Sequence, residues 1–376
     1  MRSILKISYD YQVFTFQRYG GISRYFYELC FRIKNQSDDV FFPSILAPLH
    51  VNQYIKKLTP NQLHTLCAVK PFRGSARAMR IINEGVSLIR NRIFVPDLVH
   101  ETYYSRRTVA PKNCPVVLTV YDMVHELFSQ NFEINDSTTS LKRIAVERAN
   151  HIICISESTK QDLIRLFGTE EKKISVTHLG FSINSGEIVN ASNITKLYDK
   201  PFLLYVGSRA GYKNFSSLLK AYAASAQLRK NFDLISFGST TFNAEEMVLM
   251  QKLGILNNVH HATGDDQLLA QYYLAAAVFI YPSLYEGFGI PPLEAMYFGC
   301  PVACSNTSSI PEVVGAAAKL FDPSSVESIR AAIEELVMNK NERDSYIKLG
   351  HQRLKIFSWD KCATETAGIY QKLLSK

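Results

Sequence analysis

The chain lacks any run near the ~18–20 consecutive apolar residues that a membrane span needs, so no transmembrane helix is expected. It also lacks a clustered cysteine pattern. Its seven cysteines are an odd number and lie far apart except for Cys300 and Cys304, and some sit in apolar runs such as His151-Ile152-Ile153-Cys154-Ile155. That spacing argues against a disulfide framework or a zinc site, and a reduced, cytoplasmic protein is expected. No D-x-D occurs anywhere, which removes the commonest sequence cue for a metal-bound diphosphate. Short-period repeats and low-complexity tracts are absent too. The first ten residues carry only a short apolar run, broken by Lys6, with no small-residue cleavage pattern. They read as a first strand rather than a signal peptide.

Hydrophobic residues make up 47% and charged residues 20% of the 376 positions, close to the globular average. At about 150 residues per domain, this length suggests two or three domains. Net charge is +8, with 42 Lys and Arg against 34 Asp and Glu, which favours anionic partners. Nucleic acid fits poorly, because the basic residues lack an interleaved aromatic stacking platform.

Short apolar or β-branched runs alternate with helical-period segments, so the fold class is α/β with mostly parallel sheets. In the first half the strand candidates are 5–9, 40–46, 98–100, 116–121, 151–155 and 174–178. The rhythm then breaks over 182–200, where Asn184, Ser185, Gly186, Asn190, Ser192 and Asn193 make a loop-like linker. It restarts with strands at 202–206, 233–237, 259–262, 278–281, 301–304 and 319–321. Helical patterns at 215–228, 266–276 and 325–339 lie between them. Two doubly wound, Rossmann-like domains, 1–181 and 201–360, are expected to face across a cleft, with ligands bound outside the strand C-termini.

The most informative segment runs from Tyr281 to Met296. A strand ends near Tyr281, and a turn bearing Gly287 and Gly289 comes next. A helix then starts near Pro291, where proline suits the first position. The glycines allow close approach of backbone to a ligand, and the helix start offers free N–H groups. Glu286 on the loop and Glu294 in the first helical turn could each accept hydrogen bonds from paired hydroxyls of a ribose or hexose. The plainer alternative is a Pro/Gly turn whose glutamate stabilises a helix start.

A second cluster is Val206-Gly207-Ser208-Arg209-Ala210-Gly211-Tyr212-Lys213-Asn214. Arg209 and Lys213 leave a strand tip, and Asn214 can cap the next helix. Two fixed cations suit a diphosphate, whose negative charge grows as a bond to sugar breaks. Two solvated surface cations are the bland alternative. Near the start, Tyr19-Gly20-Gly21-Ile22-Ser23-Arg24-Tyr25 opens a helix, and Gly21 could approach a phosphate or sugar.

These blocks resemble family-4 retaining glycosyltransferases of the two-Rossmann-domain GT-B architecture. The likeness rests on Gly20–Tyr25, Cys154-Ile155-Ser156-Glu157-Ser158-Thr159-Lys160-Gln161-Asp162-Leu163, the Arg209/Lys213 tip, and Glu286 to Glu294. Ser309-Ile310-Pro311-Glu312 and Phe357-Ser358-Trp359 are similar as well. The resemblance implies that Arg209 and Lys213 hold the diphosphate and that Glu294 holds the ribose. Glu286 would contact sugar hydroxyls with the backbone of Gly287, Phe288, Gly289 and Ile290, and Gly21 would approach from the N-terminal domain. Thr263 and Gly264 would lie in the base-contacting loop. It also implies retention at the anomeric carbon, no cofactor and no required metal, and a C-terminal helix over 361–376 packed back on the first domain. The donor expected is UDP-glucose, marginally ahead of GDP-mannose. The acceptor would be a glycan or glycolipid in polysaccharide or envelope synthesis. A nucleotide-sugar epimerase on the same fold and a silent binding module are the alternatives.

On the acceptor side, relatives often carry His-Asp after the strand, where this chain has Tyr121-Asp122. Asp122, His125, Glu126 and Glu286 are therefore the catalytic candidates, with His125 and Glu126 able to orient an acceptor. His100 is a further candidate, and Tyr121 could supply a hydroxyl. Finally, residues 70–94 hold six basic residues and one acid, interleaved with Met79, Ile81, Ile82, Val86, Leu88 and Ile89. A basic amphipathic helix there would suit peripheral docking at the inner face of an anionic membrane, and an ordinary solvated surface helix is the alternative.

Overall fold

The computed structural model describes residues 4–36, 40–70, 74–183, 194, 198–209, 211–238 and 240–375. Most of the expected linker at 182–200 lies outside them, as do Arg73 and Ala210. The chain divides into two compact units. One comprises 1–126, 132–180 and 358–376, and the other 127–131 and 181–357.

In the first unit the strands are β1 (Leu5–Tyr9), β2 (Phe41–Leu46), β3 (Leu49–His50), β4 (Leu63–His64), β5 (Cys67–Ala68), β6 (Leu98–Glu101), β7 (Val116–Val120), β8 (His151–Cys154) and β9 (Ile174–Val176). Seven form one parallel sheet in the order β4-β2-β1-β6-β7-β8-β9. β6 and β7 are buried along their whole length, as expected of strands covered by helices on both faces. The order reverses between β1 and β6. The loop after β1 therefore opens at a switch point, and the helix Gly21–Gln36 comes after it.

The C-terminal helix Trp359–Leu374 belongs to this unit and packs on Gly21–Gln36. Arg32 Nη1 meets Asp360 Oδ1 at 2.5 Å, and Gln36 donates to the same oxygen at 2.7 Å. Gly180 is required by the packing at the start of this helix, since a Cβ there would lie 2.3 Å from the Trp359 backbone nitrogen.

The second unit contains β10 (Phe202–Val206), β11 (Asp233–Phe237), β12 (Val259–Ala262), β13 (Val278–Tyr281), β14 (Val302–Ser305) and β15 (Lys319–Phe321). They form a parallel sheet in the order β12-β11-β10-β13-β14-β15, so the switch point lies between β10 and β13. Its core gathers Leu203 and Tyr205 of β10, Leu218 and Tyr222 of the helix Phe215–Ala224, and Ile329 and Ile333 of the helix Val326–Met338. Apolar residues recur every three or four positions on these helices, so each buries one face against the sheet.

Candidate active site

The loops after β10 and β13 meet at the switch point of the second unit. After β10, Gly207 takes φ +130°, a region open to glycine alone, and the chain turns into a short 3₁₀ segment, Gly211–Lys213. The Leu284 N–H, after β13, donates to the Tyr212 carbonyl at 2.8 Å, which ties the two loops together. Asn214 does not cap the next helix through its side chain, contrary to expectation. It sits in the left-handed region at φ +59°, and its amide donates to Pro282 O at 3.0 Å and Pro323 O at 2.8 Å. Asn214 thus braces the turn that carries Lys213 against the loop after β13.

Lys213 and Glu286 come together. The Lys213 ammonium donates to both Glu286 oxygens, at 2.7 and 2.9 Å, and the two side chains are 18% and 11% exposed. The Glu286 loop is held by three consecutive hydroxyls after β14. Thr307 donates to Leu284 O, Ser308 accepts from the Glu286 N–H, and Ser309 donates to both Glu286 O and Phe288 O. Ser308 adopts φ +53°, uncommon for a non-glycine residue, in order to reach the Glu286 N–H. Ser309 falls within the block Ser309–Glu312 that is similar to the family's, whereas nothing in the residue pattern marks Thr307 or Ser308.

Gly289, at φ +102°, precedes the helix Ile290–Tyr297. Ile290 rather than Pro291 is its first residue, so Glu294 lies in the second turn, not the first. Its carboxylate accepts from the Tyr273 hydroxyl at 3.1 Å. Burial beside Glu294 pushes the Tyr273 phenol well above its ordinary pKa, and burial beside Glu286 does the same to Tyr281. Both phenols therefore stay neutral, Tyr273 hydrogen-bonded to Glu294 and Tyr281 to Glu286. Tyr273 and Tyr281 were not foreseen as parts of this group.

Arg209 stands differently from the expected diphosphate ligand. Its Nε donates to Glu246 Oε1 at 2.7 Å, and Nη2 donates to the carbonyls of Thr240 and Thr241 at 3.0 and 2.7 Å. The side chain is 5% exposed and lies over the Phe215 and Phe242 rings. Thr263 and Gly264 are exposed on the loop after β12, two strands from Lys213.

On the first unit, Gly21 is the exposed first residue of its helix, and a Cβ there would meet nothing within 4 Å. Asp122 accepts from the Val124 N–H at 3.1 Å. The His125 ring stacks on Phe132 with centroids 3.9 Å apart, and its Nε2 lies 3.8 Å from Asp136. Glu126 does not face outward to orient a ligand. Its side chain is 5% exposed and accepts from Lys142 Nζ at 2.7 Å. Lys142 is almost wholly buried, so it needs a countercharge, and no sequence signal marked it.

His100 and Tyr121 are likewise core groups rather than ligand contacts. His100 is fully buried between the Tyr370 hydroxyl at 2.6 Å and the Thr119 hydroxyl at 2.8 Å, and burial pushes its pKa down to about 3. Tyr121 donates to Thr102 O at 2.9 Å. Among the described residues no cluster of three or more His, Cys, Asp or Glu could hold a metal ion, and no helix is long and apolar enough to cross a membrane.

The model of a family described as "Glycosyltransferase Family 4" matches residues 19–185, and one described as "Glycosyl transferases group 1" matches residues 189–353. The O-antigen chain mannosyltransferase B of Escherichia coli is 32% identical over 237 residues, 61% of this chain and 62% of that protein. The MMP alpha-(1->4)-mannosyltransferase of Mycolicibacterium hassiacum is 28% identical over 245 residues, covering 62% and 57%. The chain thus spans less than two thirds of the length of either relative. Among solved structures, the sucrose-phosphate synthase of Thermosynechococcus elongatus shares the fold with a TM-score of 0.74 at 18% identity, over 99% of this chain and 100% of that one.

Proposed function

Because the chain belongs to the group 1 and family 4 glycosyltransferases and has the GT-B fold, we propose that it moves a hexose from a nucleoside diphosphate sugar to a glycan or glycolipid acceptor in polysaccharide synthesis. The observation that carries this reading is the Lys213–Glu286 pair at the switch point of the second unit. There a cation can meet the departing diphosphate while a carboxylate grips the sugar hydroxyls. Glu294, steadied by Tyr273, would take the ribose hydroxyls. The backbone of Gly287–Ile290 would face the sugar and phosphate.

For the donor we favour GDP-mannose. The Escherichia coli and Mycolicibacterium hassiacum relatives are both named mannosyltransferases. UDP-glucose, favoured from the sequence, gains no support from them, and neither family match supports an epimerase. Retention is part of the proposal. The leaving phosphate oxygen would take the acceptor's proton on the face it vacates, while Lys213 offsets the charge that develops. On the first unit His125 is the group proposed to approach an acceptor hydroxyl.

Purified protein should release GDP from GDP-mannose in the presence of acceptor, at a rate unchanged by EDTA, and NMR should show the α anomer in the product. Silence across a donor panel would sink the proposal, EDTA sensitivity would remove its metal independence, and a β product would remove retention.

Peripheral attachment to an anionic membrane, from the cytoplasmic side, is the proposed location. The helix Ser75–Ile93 buries Ser75, Met79, Asn83, Ser87 and Asn91, and Asn83 bonds the Leu49 backbone. Its isoleucines lie outside instead, with Ile81, Ile89 and Ile93 each more than 60% exposed beside Arg77, Arg80 and Arg92. An apolar and basic outer face of this kind suits insertion at a lipid interface. Co-flotation with phosphatidylglycerol vesicles but not phosphatidylcholine vesicles is expected, and equal flotation with both would remove the charge argument.

A further inference from the structure

Arg209 does not stand open to solvent at the strand tip. It is a buried hub for the segment after β11. Its Nη2 bonds two successive carbonyls of that segment, Thr240 and Thr241, and its Nε bonds Glu246 in the helix Ala244–Lys252. Glu246 is itself held in a capping box with Asn243, whose N–H donates to Glu246 Oε2 at 2.8 Å while the Asn243 side chain accepts from the Glu246 N–H at 2.8 Å. Phe242 closes the group, stacking on Phe215 with ring planes 11° apart, and Arg209 lies 5.0 Å above its ring.

The segment held in this way borders the loop expected to meet the nucleoside base. The Gly238 N–H donates to Ala262 O at 2.9 Å, and the His261 Nε2–H donates to Gly238 O at 2.9 Å. Phe242 meets the His261 ring edge-on at 5.9 Å. Thr263 and Gly264 come directly after. A continuous set of contacts thus runs from Arg209 through Thr240–Phe242 to the loop after β12.

We infer that Arg209 and Glu246 are positioning residues that clamp the segment Thr240–Asn243 and thereby shape the base side of the donor site, leaving Lys213 as the cation for the diphosphate. This rests on the nucleotide-sugar reading of the site. Three of the five guanidinium N–H donors are bonded within the chain at 3.0 Å or less, and the Nη1 pair, 3.5 Å from the Ser236 hydroxyl, is what remains. A two-pronged grip on a phosphate through Nε and Nη2 would therefore first require release of the segment.

Glu246→Gln gives the discriminating experiment, because the clamp and direct phosphate binding predict opposite signs. If Arg209 were a phosphate ligand restrained by Glu246, neutralising the restraint would tighten nucleotide binding. For the clamp, calorimetric Kd values for GDP and UDP should rise about tenfold, the scale of one charge-assisted hydrogen bond. The kcat at saturating donor should stay near wild type, and hydrogen exchange at residues 240–246 should quicken. Arg209→Lys keeps the charge but loses the fork, so it should show the same faster exchange and weaker nucleotide binding.

Tighter nucleotide binding in Glu246→Gln, unchanged exchange there, or full affinity in Arg209→Lys would each overturn the clamp. Should Arg209→Lys not fold, Glu246→Gln decides alone. A wild-type chain that binds neither GDP nor UDP would refute the donor reading, while the exchange measurement would still decide whether the clamp exists.

Discussion

Replacing Lys213 by alanine removes the charge partner placed against Glu286 at the strand tip, and its cost can be worked through. Two unit charges about 4 Å apart interact by about 4 kcal/mol at an effective dielectric constant near 20. Lys213 is 18% exposed in its side chain, so water screens part of that. The resting chain already spends the charge on Glu286, and what counts for rate is the extra attraction to a diphosphate as its charge grows. Loss of one such partner typically costs about 2–4 kcal/mol, or about 30- to 1,000-fold in kcat/KM. If Lys213 acts on the departing phosphate, the loss falls on kcat, and KM moves little. Steady-state transfer from radiolabelled GDP-mannose, with thermal melting to confirm folding, separates the two constants. A variant that retains kcat/KM within about threefold refutes the assignment, and one that loses only in KM refutes the transition-state role.

The turn and the core give two further expected outcomes. Asn214→Ala should destabilise the chain by about 2–4 kcal/mol, since it strands two carbonyls and puts a Cβ residue without a local side-chain bond at φ +59°. Asn214→Gly should lose less, so an alanine variant as stable as the glycine one in urea would contradict the strain argument. His100 is held neutral, with a pKa near 3 against about 6.5 for a free histidine. The unfolded chain therefore binds the proton first, and stability present above pH 6.5 drains away as pH falls toward 3, by about 1.4 kcal/mol per pH unit for this group. Urea midpoints between pH 7 and pH 4 should fall less steeply in His100→Gln, whatever its starting stability. Parallel slopes would show that His100 is not the group responsible.

The architecture was legible because parallel strands buried on both faces leave continuous apolar runs, as in Phe202–Val206 and Val278–Tyr281, and glycine and proline punctuate the loops between them and the helices. Lys213 and Glu286 could be named for the same reason, since a strand end, a glycine turn and a helix start fix where side chains emerge. Pattern alone could not tell which neighbour each polar group would choose. Asn214 reads as a cap by residue type, yet two carbonyls from other loops claim its amide. Arg209 reads as an open cation, yet the segment after β11 folds over it. Glu126 reads as a ligand-facing acid beside His125, but Lys142, sixteen residues on, needs it more. The helix Ser75–Ile93 inverts the usual rule, burying asparagines that bond backbone groups and leaving isoleucines outside. In each case tertiary hydrogen bonding decided the outcome, and hydrophobic periodicity carries no record of that.

The resting pairing of Lys213 with Glu286 has a consequence for how a donor is told from its by-product. On the proposed reading an entering diphosphate takes Lys213 away from Glu286, and a carboxylate only 11% exposed then loses that charge partner. Glu286 keeps the Tyr281 hydroxyl but loses its charged donor, and a buried charged acceptor that loses such a partner costs about 1–3 kcal/mol. A nucleotide-sugar supplies hydroxyls that restore those hydrogen bonds, whereas a nucleoside diphosphate alone does not. Phosphate and sugar recognition are thereby coupled through one side chain. By the same magnitude, the intact donor should bind more tightly than the free diphosphate by about tenfold or more, which also favours product release. Glu286→Gln removes the stranded charge, so the difference in Kd between GDP-mannose and GDP should shrink. Calorimetry on both ligands reads this directly. An undiminished difference in Glu286→Gln would mean that other groups on the loop, such as the backbone of Gly287–Ile290, recognise the sugar without help from that carboxylate.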